Sequence, residues 1–390
     1  MSSIEYCERF RETPQEPNLT TDANKHAIRV RALKAAEINQ AASPGRDEMT
    51  FRIVTVIVAA CAAALSAFPV VGQTAAPEKT DISIAVGGKT FMIYLPLSVT
   101  ERLGYFKEAG LNVRIEEVNS GTKSAQALVG GSVDATAGSF DHTIQLQAKG
   151  QIITSVVLMG RYPGIVFGLV GSQTAQYQGP QDLKGMKIGV TAPGSQTNLM
   201  VNYIMSKAGL KPNDASFIGV GGPASAVAAA RQGAIDALSH ADPAITQLEL
   251  SGELKPIYDT RSKAGTEAVF GGEYPSSVLY VLPSFIASYP NTTQALVAAI
   301  VRGLQWMEHA SPEDIAKLMP KEYYMGNRDL YVAIIDRSKA MFSPDGRVSK
   351  AGAENALKVL SAFDPAVAGA KIDLDLTYTD RFVAKAIAAH

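Results

Sequence analysis

The 390-residue sequence predicts an α/β protein built from two similar lobes. Three observations carry that expectation. Short strands alternate with helices, which implies parallel pairing. A strand–helix unit then recurs: Ala109-Gly-Leu111 precedes Gly131-Ser-Val-Asp-Ala135, and Ala208-Gly-Leu210 precedes Gly233-Ala-Ile-Asp-Ala237. After about residue 290 the pattern becomes helical only, as a tail packed around one lobe rather than a third domain.

From the N-terminus, residues 1–48 are rich in Glu, Arg, Pro, Asn and Gln without sustained apolar periodicity, and read as a disordered leader, with a weak helix at most over Ala27–Gln40. Arg52 is followed by an uncharged run, Ile53–Val71, that ends in small residues. This is the layout of a secretory signal peptide over 49–76, cleaved after Gly72 or Ala76. The run is also long enough for a membrane anchor, and Val58-Ala-Ala-Cys61 is similar to a lipobox. Pro69, the alanine content and the apolar residues beyond Cys61 favour cleavage. Because a signal peptide belongs at the N-terminus, translation is expected to start at Met49. Residues 77–390 would then be the exported chain.

Asp81–Val86 alternates at period two and reads as a strand. Val99, Leu103 and Phe106 lie at helical spacing over 96–109, and Gly110 supplies the stop. Strands follow at 113–118 and 133–137, each leading through a small-residue loop into a helix. In the tail, Leu296, Val297, Ile300, Val301, Leu304 and Met307 form one apolar stripe, and Ser311-Pro-Glu-Asp314 reads as a capping box. Two more helices are expected over 330–341 and 353–363.

Composition excludes several functions. Lys+Arg 36 against Asp+Glu 37 rules out binding to nucleic acid or anionic lipid by bulk charge. Cys7 and Cys61, both upstream of 77, build neither a disulfide framework nor a zinc site. The five histidines lack metal-binding spacing, and no cofactor is expected. Gly87-Gly-Lys-Thr90 imitates the end of a phosphate loop, but Ser83 stands where that motif needs glycine. Asp141-His142 and His240-Ala-Asp242 place acids beside imidazoles, yet no Gly-x-Ser-x-Gly elbow presents a nucleophile. Cleft-lining or capping roles are therefore expected for these pairs. Arg161-Tyr-Pro163 and Gly271-Gly-Glu-Tyr-Pro275 fit either a cleft wall or the turns between lobes.

Four loops sit between a strand's end and a helix's start: Ser120-Gly-Thr122, Gly138-Ser-Phe-Asp141, Pro193-Gly-Ser-Gln-Thr197 and Gly221-Gly-Pro-Ala224. Helix N-termini carry unsatisfied N–H groups and partial positive charge, so such loops can hold an anion without Lys or Arg. Ser, Thr and Gly there also cap helices for purely structural reasons. Four loops, two in each repeat, point to a shared cleft at the strand C-termini.

The runs Leu103-Gly-Tyr-Phe-Lys-Glu-Ala-Gly-Leu111, Ala127-Leu-Val-Gly-Gly-Ser-Val-Asp-Ala135 and Leu183-Lys-Gly-Met-Lys-Ile-Gly-Val190 with Ala192-Pro-Gly-Ser195 resemble the substrate-binding proteins of ABC importers, in the nitrate/sulfonate/taurine family. The resemblance extends from about Asp81 to Phe382. It implies a type II periplasmic binding protein, with two α/β lobes joined by two crossover segments: 77–170 and 267–390 forming one lobe, 171–266 the other. It also implies a periplasmic, monomeric, non-enzymatic receptor that captures a small anionic or zwitterionic solute and hands it to an inner-membrane permease. Carried over from the family, the ligand contacts would be Ser120, Gly121, Thr122, Ser139, Phe140, Asp141, Ser195, Gln196, Thr197 and Asp242. A related branch makes or binds the thiamine pyrimidine. Its enzymes carry a cysteine-rich motif, and residues 77–390 contain no cysteine. A ligand-sensing role is a further alternative.

Overall fold

The computed structural model describes residues 75–388. The expected leader, and the signal segment apart from its last two residues, lie outside them.

The first lobe begins with β1 (Asp81–Val86), then helices α1 (Leu95–Arg102) and α2 (Tyr105–Glu108). The single helix expected over 96–109 is thus broken at Leu103-Gly104, where the glycine takes φ +79°. β2 (Asn112–Glu117), α3 (Gly121–Val129), β3 (Ala135–Ser139), α4 (Asp141–Gln147) and β4 (Thr154–Leu158) follow. The chain then crosses into the second lobe: β5 (Ile165–Val170), β6 (Lys187–Val190), α5 (Gln196–Lys207), β7 (Ser216–Gly219), α6 (Pro223–Arg231), β8 (Ala237–Ala241), α7 (Ala244–Leu250) and β9 (Leu254–Asp259). It returns through α8 (Lys263–Phe270) to β10 (Ser277–Val281).

Two five-stranded sheets result, in the orders β2-β1-β3-β10-β4 and β7-β6-β8-β5-β9. Each has the same plan. The β1 and β6 strands pair in parallel with their neighbours, whereas β10 and β5 run antiparallel to both of theirs. The all-parallel pairing read from the sequence is corrected at these two strands. Both arrive from the other lobe, β5 straight from β4 and β10 by way of α8, and so enter their sheet from the opposite end. β5 also moves the boundary, because residues 165–170, expected in the first lobe, belong to the second sheet.

Burial explains why these strands sit inside. All residues of β5 and β10 are buried, as continuous apolar runs covered on both faces should be. The edge strand β2 instead exposes Asn112, Arg114, Glu116 and Glu117, charged or polar groups that discourage further pairing.

The tail comprises α9 (Pro283–Ser288), α10 (Pro290–His309), α11 (Pro312–Leu318), α12 (Arg328–Ser338), α13 (Lys350–Ser361), α14 (Pro365–Ala368) and α15 (Arg381–Ala388). The whole stripe from Leu296 to Met307 on α10 is buried, in one core with Ile82, Ile84, Val99 and Val383. Ser311 caps α11 by accepting from the Asp314 N–H, with Pro312 at the first helical position. α13 reaches further than a one-lobe tail would, packing on α4 of the first lobe and α5 of the second.

Candidate ligand cleft

The strand ends of the two sheets face each other, and three of the four small-residue loops line the space between them; Gly221–Ala224, expected there as well, does not reach it. From the first lobe come Gly87 and Tyr94 after β1, Ser120 and Gly121 at the start of α3, and Ser139 and His142 around the end of β3. From the second come Thr191, Ser195, Gln196 and Thr197 between β6 and α5, and Ala241 at the end of β8. Phe91, Ile93 and Ile165 supply apolar wall, and Ser277 of β10 joins the lining.

The local geometry follows from cap and turn chemistry. Ser120 is extended, with φ −168° and ψ 154°, and its Oγ accepts from the Lys123 N–H at 3.2 Å. The two N–H groups before Lys123 on α3 are left for the cleft. Opposite, Thr191, Ser195 and Thr197 knit their hydroxyls together at 2.7–3.0 Å, fixing the turn that starts α5. Two helix N-termini, from nine- and twelve-residue helices, therefore point into one space from different lobes.

The lobes touch directly. Thr122 Oγ1 donates to the Pro193 carbonyl at 3.3 Å, the Met92 N–H to the Asp242 carbonyl at 3.0 Å, and Ser276 Oγ to Gln196 Oε1 at 2.7 Å. The Phe91 and His240 rings lie 5.1 Å apart. The enclosed volume is about 40 Å³. That admits a few waters and is far below the roughly 300 Å³ at which small-molecule pockets begin, so the lobes are in a closed arrangement.

Three buried polar atoms of the lining have no hydrogen-bond partner: His142 Nε2, Gln196 Nε2 and Ser277 Oγ. Leaving such groups unmatched costs free energy that a ligand can recover. The charge states are set by burial. The His142 imidazole is pushed down to about 4 by desolvation; the nearby Gly194 carbonyl, outside hydrogen-bonding geometry, opposes this only in part. Tyr94 is pushed up to about 12 by burial, against the Gly87 backbone. Both side chains are neutral near pH 7.

Of the ten residues carried over from the family, Ser120, Gly121, Ser139, Ser195, Gln196 and Thr197 line the cavity. Thr122 stands at the rim through its contact with Pro193. The other three turn elsewhere. Phe140 is fully buried in the apolar core beneath the site. Asp141 is buried behind Ser139, accepting from Ser139 Oγ at 2.7 Å and Tyr274 Oη at 2.6 Å. Burial pushes its carboxyl up to about 6, opposed by Tyr274, Ser139 and the nearby Gln196 amide, whose Nε2 completes no hydrogen bond. Asp242 accepts from Arg261 at 3.1 Å and caps α7 through the Thr246 N–H at 2.8 Å. It is a structural carboxylate away from the cavity lining.

His240 is likewise structural, lying within hydrogen-bond distance of the Ala241 and Gly221 carbonyls. Arg161 belongs to a crossover turn, donating to the Ala340 carbonyl and lying over Tyr162, beside a groove of about 590 Å³ outside the cleft. Tyr274 reaches Asp141 rather than the cavity. Sequence reasoning missed Phe91, Tyr94 and Ser277 as lining residues. Their only signal is position just after β1, or at the start of a strand returning from the other lobe. Among the described residues, no group of His, Cys, Asp and Glu is placed to hold a metal, and no helix is long and apolar enough to cross a membrane.

A family model described as NMT1/THI5 like matches residues 93–315, more than half of the chain. A solved protein from Bordetella bronchiseptica RB50 is 46% identical, with a TM-score of 0.78 over 80% of this chain and 98% of that one. The alkanesulfonate-binding protein SsuA from Xanthomonas axonopodis pv. citri, bound to MOPS, shares the fold at 17% identity, with a TM-score of 0.61 over 78% of this chain and 99% of that one. The 4-amino-5-hydroxymethyl-2-methylpyrimidine phosphate synthase THI11 of Saccharomyces cerevisiae (strain ATCC 204508 / S288c) is 28% identical over 130 residues, 33% of this chain. The chain spans only 37% of that relative's length.

Proposed function

The chain belongs to the NMT1/THI5-like family, and from that premise we propose that it is the solute-capturing receptor of an ABC-type importer. In this reading it is exported, works as a monomer, closes around one small solute between its lobes and delivers it to a membrane permease. The observation that carries the reading is the cleft itself: two helix N-termini from opposite lobes and three unpartnered buried polar atoms converge on one enclosed space. A ligand touching both lobes stabilises the closed arrangement, which is how a hinged receptor couples capture to shape.

The lining contains no Lys, Arg, Asp or Glu side chain. Helix ends and neutral donors suit a compact oxyanion head group, such as a sulfonate, a carboxylate or nitrate, on an anionic or zwitterionic solute. A receptor role is supported over catalysis by the way Asp141 and His142 are held. Each bonds a different tyrosine, Tyr274 and Tyr280, so the acid does not orient the imidazole as a base.

The test is calorimetric titration of the full chain with taurine, an alkanesulfonate, nitrate, an aromatic carboxylate and a 4-aminopyrimidine, paired with small-angle scattering. Binding of at least one oxyanion, with a smaller radius of gyration on saturation, is expected. Binding of the aminopyrimidine alone would transfer the protein to the thiamine-precursor branch, and no compaction with any bound ligand would reject the receptor mechanism.

A further inference from the structure

Resting on the oxyanion reading of the cleft, we propose that Tyr280 and Ser276 are positioning residues that turn His142 and Gln196 into fixed hydrogen-bond donors toward the cavity. Selectivity for an acceptor-only head group would then be set from behind the lining, by two residues of the segment that returns from the second lobe.

The argument for His142 is one of proton accounting. Tyr280 is fully buried in β10, and its hydroxyl makes one hydrogen bond, to His142 Nδ1 at 3.1 Å. A buried O–H whose hydrogen points at no acceptor carries a full desolvation cost. Donating to Nδ1 removes that cost and makes Nδ1 the acceptor. A neutral imidazole that accepts at Nδ1 carries its proton on Nε2. Nε2 is the atom left without a partner in the lining. Gly138 makes the arrangement sterically possible, since a Cβ at that position would stand 2.4 Å from the Tyr280 hydroxyl oxygen.

The argument for Gln196 is one of amide orientation. Ser276 Oγ donates to Oε1 at 2.7 Å, which leaves Nε2 as the free end. Nε2 lies near the Asp141 carboxylate, so one of its two hydrogens faces that group and the other is the one left for the cavity, whereas the flipped amide would bring two acceptors together. Ser120 completes the pattern. Its Oγ already accepts from Lys123, so its own hydrogen is free to point outward. His142, Gln196 and Ser120 thus donate, while Ser139 Oγ, whose hydrogen goes to Asp141, is the oriented lining group left to accept.

The proposal is read first in the unliganded full chain labelled with ¹⁵N-histidine. The two-bond ¹H–¹⁵N correlation of His142, identified by its loss in His142→Gln, should show the Nε2–H tautomer, and Tyr280→Phe should shift it to a mixture. In titrations, Tyr280→Phe and Ser276→Ala should each weaken the best oxyanion by about tenfold, as expected for a charge-assisted hydrogen bond lost. Both should narrow its preference over a 4-aminopyrimidine, and Ser276→Thr should restore it. An Nδ1–H pattern in the wild type overturns the proposal even if Tyr280→Phe fails to fold, as does unchanged selectivity in both variants. An Nε2–H pattern without any oxyanion binding upholds the role of Tyr280 and overturns the ligand reading instead.

Discussion

Asp141 and His142 are adjacent in sequence, both buried, and shifted in opposite directions by the same cause. Desolvation disfavours the charged form of each, raising Asp141 to about 6 and lowering His142 to about 4. The pH consequences oppose one another. The stability that Asp141 contributes is present below pH 4 and lost as pH rises through 6. That of His142 is present above pH 6.5 and lost as pH falls through 4. Each shift is worth about 3 kcal/mol at most, so the two nearly cancel in the wild type between pH 4 and 6.5. Replacing one exposes the other. Relative to wild type, His142→Gln should gain stability as pH is lowered through that window, and Asp141→Asn should lose it, as measured by denaturant unfolding at pH 4, 5 and 6.5. Parallel curves for all three proteins would show that neither group titrates differently on folding.

At the scale of elements, α10 and α1 meet where Gly303 faces Thr100. A Cβ added at Gly303 would stand 2.1 Å from Thr100 Oγ1 and 3.2 Å from its Cβ, so either the threonine leaves its rotamer and its bond to the Pro96 carbonyl or the helices separate. Gly303→Ala should therefore cost about 1–3 kcal/mol despite alanine's better helix propensity. Thr100→Ala should recover part of that loss in the double variant, with additivity of the two single effects as the contrary result. The stripe along α10 was legible in the sequence because an amphipathic helix repeats its apolar residues on one face, and all six predicted positions are buried. The antiparallel course of β5 and β10 was not legible, since a continuous apolar run such as Ile165–Val170 marks burial on both faces but not direction. The same limit governs the site. Ser120 announces itself by cap chemistry, and Gln196 and Thr197 by following the Pro193-Gly194 turn. Phe91 and Tyr94 carry the same letters as core residues. Tyr280 meets His142 only because a strand 138 residues away in sequence is inserted beside β3. Asp141 and Asp242, which the family resemblance assigned to the ligand, are instead committed to Tyr274 and Arg261, partners contributed by the return crossover.

For the molecule as a whole, the two lobes are alike in plan but unequal in how they are assembled. The second sheet draws on one continuous stretch, residues 165–259, whereas the first needs β10 between β3 and β4. A chain truncated after residue 270 should keep slow amide exchange in β5, β6 and β8 and lose it in β3 and β4. Equal protection in both sheets would show that β10 is dispensable. The inserted strand also orders events during synthesis. As the chain emerges from the N-terminus, β3 and β4 are complete more than 100 residues before the strand that separates them exists. Until residue 281 has been made, those two strands have a gap between them that any other exposed edge could fill. A protein with this topology gains from being held unfolded until its last strand is available, and the export proposed for this chain, if the polypeptide crosses extended, would impose that delay.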